Sequence, residues 1–177
     1  SYLHRAIICA FLANGTSTIR PFYPSEDCLA TLAMIQTFQA SYIIEGDTLT
    51  ITSTGKLKDQ PVTLDAKESA TTLRLMMGLL FAKKTQTTFL GHSTLMRRPM
   101  EAYFNLCKQE NVAYEQWHDS IVIHQNLTQT HFVLTSPKSS QFVSGLLLYL
   151  AYHNQGGSIE VINETSSGYI QMTIHML

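Results

Sequence analysis

The spacing of hydrophobic positions changes period repeatedly along the chain, and these changes divide it into alternating helices and strands. Residues 1–15 carry the apolar run Ile7-Ile8-Cys9-Ala10-Phe11-Leu12 and read as a helix closed by a Gly15 cap. Residues 16–22 form a short β-rich segment ended by Pro21. A second helix starts at Ser25, with Leu29, Leu32, Ile35 and Phe38 on one face. Tyr42-Ile43-Ile44 and Leu49-Thr50-Ile51 then flank Glu45-Gly46-Asp47, the pattern of a hairpin and its turn.

The same order recurs. Val62 and Leu64 alternate like the end of a strand, and Ser69 is a suitable N-cap for the mostly apolar helix 69–82. Strand 87–90 leads to a helix with Pro99 near its first position, running to about Lys108, and then to β-like 113–117 and 121–124. A third round has strand 131–134, helix 139–152 ended by Gly156-Gly157, strand 158–162 and a last helix from about Gly168 to Leu177. The stripe Phe142, Leu146, Leu147, Leu150 predicts a core-facing side for helix 139–152. The leading helices start at Ser1, Ser69 and Ser139, 68 and 70 residues apart. That period is too long for the usual solenoids. It predicts large α/β units of about 1–64, 65–135 and 136–177 packed around a shared core. The third unit stops before a closing hairpin and the first lacks a leading strand, so the chain reads as cut at both ends.

Composition narrows the class. A chain of 177 residues suits one domain, or a large piece of a two-domain protein, and 45% hydrophobic against 14% charged residues demands extensive burial. A net charge of −1, with no basic run and no aromatic-basic interleaving, argues against nucleic acid as a partner. Cys9, Cys28 and Cys107 are an odd set without CxxC spacing, which predicts buried free thiols and a reducing, cytoplasmic location. The longest apolar run, 142–152, is too short to span a bilayer, and no signal peptide precedes the first helix, so no membrane association is expected.

The helix starts carry the candidate chemistry. First turns usually attract Asp and Glu, yet helices 1–14 and 139–152 contain neither. Arg5 sits about one turn into the first, Lys138 immediately precedes the third, and Lys67 and Arg74 flank the start at Ser69. A basic group at the positive end of a helix dipole costs ~0.3–1 kcal/mol unless an anion compensates. Solvation or remote carboxylates could account for one such helix; three related ones favour converging anion sites. In Arg97-Arg98-Pro99-Met100, Pro99 fixes a helix start and places Arg98 at its cap, able to reach a phosphate bidentately, though a solvated arginine pair is the plain alternative. The histidines, His4, His92, His118, His124, His131, His153 and His175, show no HxxH or HExxH spacing, so no metal site is predicted. GxGxxG, GxxxxGK[ST] and GxSxG are absent, which argues against dinucleotide and P-loop sites and makes Ser139 and Ser140 hydroxyl donors rather than nucleophiles.

Five segments, in order, carry a family resemblance: Ser1-Tyr2-Leu3-His4-Arg5-Ala6, Gly15-Thr16-Ser17-Thr18-Ile19, Ser69-Ala70-Thr71-Thr72-Leu73-Arg74, Met96-Arg97-Arg98-Pro99-Met100 and Ser139-Ser140-Gln141-Phe142-Val143-Ser144. Ser166-Ser167-Gly168-Tyr169 aligns less strongly with a sixth. The chain resembles the 5-enolpyruvylshikimate-3-phosphate synthases, or 3-phosphoshikimate 1-carboxyvinyltransferases, over essentially its whole length. The resemblance implies an inside-out α/β barrel, here incomplete, with repeated units burying helices inside a shell of sheets and helix N-termini facing a cleft between two domains. It implies transfer of the enolpyruvyl group of phosphoenolpyruvate to the 5-hydroxyl of shikimate 3-phosphate, releasing phosphate, with no metal or organic cofactor. Matched position by position, Ser1 and Arg5 correspond to contacts to the shikimate ring. Ser139, Ser140 and Ser166 correspond to donors to the substrate phosphate, and Tyr169 to a residue lining that site. Arg98, Gln141 and the backbone around Ala70 correspond to the phosphoenolpyruvate site.

The departures from the family pattern matter as well. The family's phosphoenolpyruvate-binding Lys belongs just before Ser1. The acid/base carboxylates belong to a second domain, so no catalytic residue is expected here and the chain alone should be inactive. Arg74 is expected as a structural ion-pair partner, and Lys67 is unassigned. Ala70 stands where most members have Gly, and Glu68 where many have Asn. A methyl at position 70 should be tolerated by phosphoenolpyruvate better than by a bulkier inhibitor such as glyphosate. Two rival readings are a sister enolpyruvyl transferase acting on UDP-N-acetylglucosamine, whose Cys-bearing loop has no counterpart here, and a non-catalytic phosphometabolite-binding module.

Overall fold

The computed structural model describes residues 2–163 and 166–177. In chain order the elements are α1 (Tyr2–Leu12), β1 (Gly15–Ile19), α2 (Glu26–Gln36), β2 (Ser41–Glu45), β3 (Thr48–Ser53), β4 (Val62–Asp65), α3 (Ala70–Leu80) and β5 (Thr87–Leu90). There follow α4 (Ser93–Met96), α5 (Glu101–Gln109), β6 (Tyr114–Gln116), β7 (Ser120–Ile123), β8 (His131–Thr135), α6 (Ser140–His153), β9 (Ser158–Ile162) and α7 (Ser167–Met176).

The strands form three sheets, ordered β1-β3-β2, β4-β5-β7-β6 and β8-β9. The first is antiparallel throughout, with β2 and β3 joined by the expected hairpin. β4 pairs with β5, and β8 with β9, in parallel. A parallel pair needs a crossover, and α3 and α6 supply it. Strand burial alternates: Phe132 and Leu134 of β8 point inward while His131, Val133 and Thr135 face solvent, and β4 buries Val62 and Leu64 around an exposed Thr63. One face of each of these sheets therefore covers the interior and the other is wet.

The helices fill that interior. α3 buries Leu73, Leu75, Met76, Met77, Leu79 and Leu80, and α6 buries Phe142, Val143, Leu146, Leu148 and Tyr149, with Leu147 and Leu150 partly buried at their edge. These two helices meet at glycine. A Cβ on Gly78 would fall 2.5 Å from the Cα of Gly145, which leaves room for hydrogen alone. Tyr103 of α5 closes the contact, packing edge-on against Phe81 and Phe142. Buried helices inside a shell of sheets make this an incomplete inside-out α/β barrel. Among the described residues, no helix is long and apolar enough to cross a membrane.

The helix caps decide what faces the barrel's end. Ser25, Ser69 and Ser139 each sit in extended backbone ahead of a helix, with the hydroxyl oxygen accepting from the main-chain N–H of Cys28, Thr72 and Gln141. Three expectations need correction. α1 ends at Leu12, and Gly15 instead opens β1 with φ 126°, a value only glycine adopts easily. α6 closes on Asn154 in the left-handed conformation, ahead of Gly156-Gly157. Met100, not Arg98, caps α5, because the unforeseen short helix α4 draws the Arg97 and Arg98 amides back to the Ser93 and Leu95 carbonyls. Cys9, Cys28 and Cys107 are free thiols, the latter two buried and Cys9 partly so.

Candidate functional site

A cavity of about 310 Å³ opens beside the start of α6 and is lined by Arg5, Lys138, Ser139, Ser140, Gln141, Ser166 and Tyr169. Residues separated by more than 160 positions are brought together because α1, α6 and α7 present their N-terminal ends to the same space. Among the described residues no carboxylate lines it, while two cations and four hydroxyls, three of serine and one of tyrosine, do. Aligned helix N-termini add positive potential, so the arrangement suits an oxyanion. A larger cavity of about 360 Å³ lies where α1, α6 and α7 end, lined by Cys9, Leu12, Ala13, Gly55, Ala151, Tyr152, Met176 and Leu177. Among the described residues it offers no convergent charge, so size alone does not make it the site.

Arg5 is completely buried, and its guanidinium is held by hydroxyls of two other helices. Its Nε donates to Thr173 Oγ1 at 2.6 Å and its Nη2 donates to Ser144 Oγ at 3.0 Å. Thr173 Oγ1 lies 2.8 Å from Ser144 Oγ and 3.2 Å from the Tyr169 carbonyl, so the network continues into the turn that bears Tyr169. Burial pushes the Arg5 pKa below the ordinary arginine value, yet a guanidinium keeps its proton under any physiological condition. Its charge therefore belongs to the site permanently.

Ser139 and Ser140 stand at the start of α6. The Ser139 hydroxyl oxygen accepts from the Gln141 amide at 3.2 Å, which leaves its own proton to donate, and Ser140 is buried. Gln141 bridges the helices: its Nε2 donates to Thr71 Oγ1 at 2.8 Å, and its Oε1 accepts from Arg74 Nη1 at 3.1 Å. Arg74 also donates to the Pro99 carbonyl at 3.3 Å and lies 4.9 Å above the Phe142 ring. The expected ion pair for Arg74 is thus corrected: its described partners are an amide, a carbonyl and an aromatic face. Burial, and next the charge of Arg98, lower the Arg74 pKa, which places a second guanidinium within electrostatic reach.

Of the residues singled out in the sequence, Arg5, Ser139, Ser140, Gln141, Ser166 and Tyr169 line one cavity. Ala70 opens α3 and Arg98 lies exposed between α4 and α5; neither lines it, and both connect to it through Thr71, Arg74 and Gln141. Ser1 lies outside the described residues. Lys67 turns to Asp65 at 2.7 Å and is not part of the cavity. Sequence reading noted Lys138 as a charge at a helix start without giving it a ligand. It gave no role to Ser144 or Thr173, although a serine inside the apolar run 142–152 is a signal that a buried partner exists. Among the described residues, no three His, Cys, Asp or Glu side chains gather as a metal site requires.

Comparison with known proteins bears on the chain as a whole. The family model for EPSP synthase (3-phosphoshikimate 1-carboxyvinyltransferase) matches residues 1–177. A 3-phosphoshikimate 1-carboxyvinyltransferase of Clostridium perfringens is 34% identical, over 100% of this chain and 43% of the relative. One from Clostridium acetobutylicum is 32% identical, over 98% of this chain and 42% of its own length. The chain therefore spans about two fifths of the curated relatives it matches. The solved EPSP synthase of Acinetobacter baumannii superposes with a TM-score of 0.71 at 28% identity, covering 84% of this chain and 35% of that one. The enolpyruvyl transferase NikO from Streptomyces tendae reaches a TM-score of 0.56 at 14% identity, over 98% of this chain and 42% of that one, a likeness of fold alone. With the family model running from the first residue to the last, the chain belongs to the EPSP synthase (3-phosphoshikimate 1-carboxyvinyltransferase) family.

Proposed function

We propose that this chain supplies the shikimate-3-phosphate half of an enzyme that moves the enolpyruvyl group of phosphoenolpyruvate onto the 5-hydroxyl of shikimate 3-phosphate. The 5-hydroxyl gives up its proton and its oxygen bonds to C2 of phosphoenolpyruvate as C3 takes up a proton. The tetrahedral adduct then loses phosphate from C2 and a proton from C3, restoring the double bond. In this reading Arg5 meets the ring, Ser139, Ser140 and Ser166 donate to the substrate phosphate, and Tyr169 walls the pocket. Gln141, Arg98 and the backbone at Ala70 form this chain's share of the phosphoenolpyruvate site. Ser1 is proposed as a further ring contact.

Fixed donors of this kind orient both reactants and oppose the charge that develops during addition. The carboxylates that move protons are assigned to a second domain, in the length of the relatives that this chain does not match. The 177 residues alone are accordingly expected to bind without turnover. The residue ranges 1–64, 65–135 and 136–177 are proposed as the repeated units of one partial domain. Free thiols at Cys9, Cys28 and Cys107 support a cytoplasmic setting.

One observation carries the proposal: the motif residues Arg5, Ser139, Ser140, Gln141, Ser166 and Tyr169, far apart in sequence, line a single cavity to which no carboxylate among the described residues contributes. The test is a calorimetric titration with shikimate 3-phosphate, with UDP-N-acetylglucosamine as the competing candidate ligand. Saturable one-to-one binding of shikimate 3-phosphate, weakened roughly five- to tenfold by Ser140→Ala through loss of one charge-assisted hydrogen bond, is expected. Binding of the nucleotide sugar instead, or of neither ligand, overturns the assignment.

A further inference from the structure

The cavity beside α6 holds two side-chain cations with different duties. Arg5 has its Nε and Nη2 committed to Thr173 and Ser144, deep under the cavity and 0% exposed. Its plane is fixed, so it cannot swing outward to follow a phosphate. Ser139, Ser140 and Ser166 can donate hydrogen bonds but contribute no charge. A dianionic group held only by hydroxyls would lose much of its hydration for neutral partners. Lys138 is the other cation of the lining, and its side chain is exposed at the rim.

The backbone beneath Lys138 is anchored on both sides. Ser136, at φ 45°, donates its amide to the Ile162 carbonyl at 2.7 Å, and Asn163 Nδ2 donates to Ser136 Oγ at 3.2 Å. Pro137 is buried, and Ser139 is the capped start of α6. The segment 136–139 is thus clamped to the end of β9 and to the helix, so the lysine stem leaves from a fixed point. Among the described residues, its ammonium makes no ion pair with a carboxylate.

We propose that Lys138 reads the phosphate of the substrate and sets the preference for the phosphorylated over the unphosphorylated ring; this rests on the function proposed above. Arg5 meets the ring that both ligands share, the serine hydroxyls hydrogen-bond the phosphate without charge, and Lys138 adds the charge that only a phosphate can use. An ammonium suits this duty, since a compact point charge on a flexible stem neutralises an oxyanion without demanding a planar partner.

The experiment compares shikimate 3-phosphate with shikimate as ligands for wild-type protein, Lys138→Met and Lys138→Arg, by calorimetry at about 50 and about 300 mM salt, a range over which exposed charges become screened. Lys138→Met is expected to weaken shikimate 3-phosphate binding roughly tenfold, to leave shikimate within about twofold, and to flatten the salt dependence. Lys138→Arg is expected to retain most of the preference. Because Lys138 is exposed and outside any helix, the substitutions leave the fold intact. Wild-type protein that binds shikimate 3-phosphate, with Lys138→Met keeping the full preference, overturns the role of Lys138 alone. Wild-type protein that binds neither ring overturns the reading of the cavity and this role with it.

Discussion

Arg74 fixes which way Gln141 faces. A guanidinium can only donate, so the Gln141 atom 3.1 Å from Arg74 Nη1 must be the carboxamide oxygen. The nitrogen is then the atom turned to Thr71 Oγ1 at 2.8 Å, and its second N–H is the group left for a ligand. An amide that could flip would present oxygen to an anion half of the time; this one presents a donor.

That relationship makes Arg74 a positioning residue for the phosphoenolpyruvate side of the proposed site. Lysine at position 74 keeps the charge but cannot serve Gln141 Oε1 and the Pro99 carbonyl with one planar group. In steady-state kinetics of the full enzyme, Arg74→Lys is expected to raise KM for phosphoenolpyruvate roughly tenfold and KM for shikimate 3-phosphate far less. Equal changes in the two constants would show that Arg74 acts on the fold in general.

The helices that carry the two halves of this site touch without side chains between them. A Cβ on Gly145 would lie 2.8 Å from the Arg74 carbonyl oxygen and 3.1 Å from Gly78 Cα, with Tyr103 Oη closer still. Tyr103 is completely buried, and its hydroxyl donates to the Arg74 carbonyl at 2.8 Å, with the Phe142 carbonyl at 3.2 Å. Gly145→Ala is therefore expected to destabilise the protein by about 1–3 kcal/mol through overpacking, and Tyr103→Phe by about 1 kcal/mol through the lost hydrogen bond. Urea unfolding reads both. A Gly145→Ala protein as stable as wild type would mean that α3 and α6 can part without loss.

How much of this was legible in the sequence depends on the range of the interaction. Ser69 and Ser139 were readable as caps because capping is settled within three residues. The hairpin of β2 and β3 was readable because its turn lies between two apolar runs. Gly15 misled because positive φ serves a strand entrance as well as a helix cap. Arg98 was misplaced because four residues at 93–96 form a turn of helix too short to leave a periodic trace. The clamp of Ser144 and Thr173 on Arg5 spans up to 168 positions, and no local pattern encodes which hydroxyl meets which guanidinium. The motif residues could be matched to a family one by one, but that they line one cavity is a product of packing.

Ala70 offers a test on the inhibitor side. It opens α3 beside the buried cap Ser69, half-buried at the edge of the core. Removing its methyl widens the proposed phosphoenolpyruvate site while costing up to ~1 kcal/mol of helix stability. Ala70→Gly in the full enzyme is expected to lower the inhibition constant of glyphosate several-fold, at the level of a methyl-sized steric contact, with little change in KM for phosphoenolpyruvate. An inhibition constant that stays put removes the steric argument.

His4 links the site's neighbourhood to pH. It is buried on α1 next to Arg5, with Nδ1 3.9 Å from Cys28 Sγ and, among the described residues, no partner for Nε2. Burial, followed by the positive charge at residue 1 and, more weakly, that of Arg5, pushes its pKa down to about 4 against the opposing charge of Asp27. The folded pKa thus lies below the value near 6.5 of an unfolded histidine. As pH falls, the unfolded chain takes the proton first, so stability is complete above about pH 6.5 and drains away toward about pH 4. Below that, both states are protonated and this group contributes no further slope. His4→Leu removes the titration and the unpartnered nitrogen together. The stability of wild type relative to His4→Leu is expected to fall by up to about 3 kcal/mol between those limits, read from urea unfolding at successive pH values. A difference that stays level across the window would mean that His4 is protonated in the folded protein, with its charge compensated inside α1 and α2.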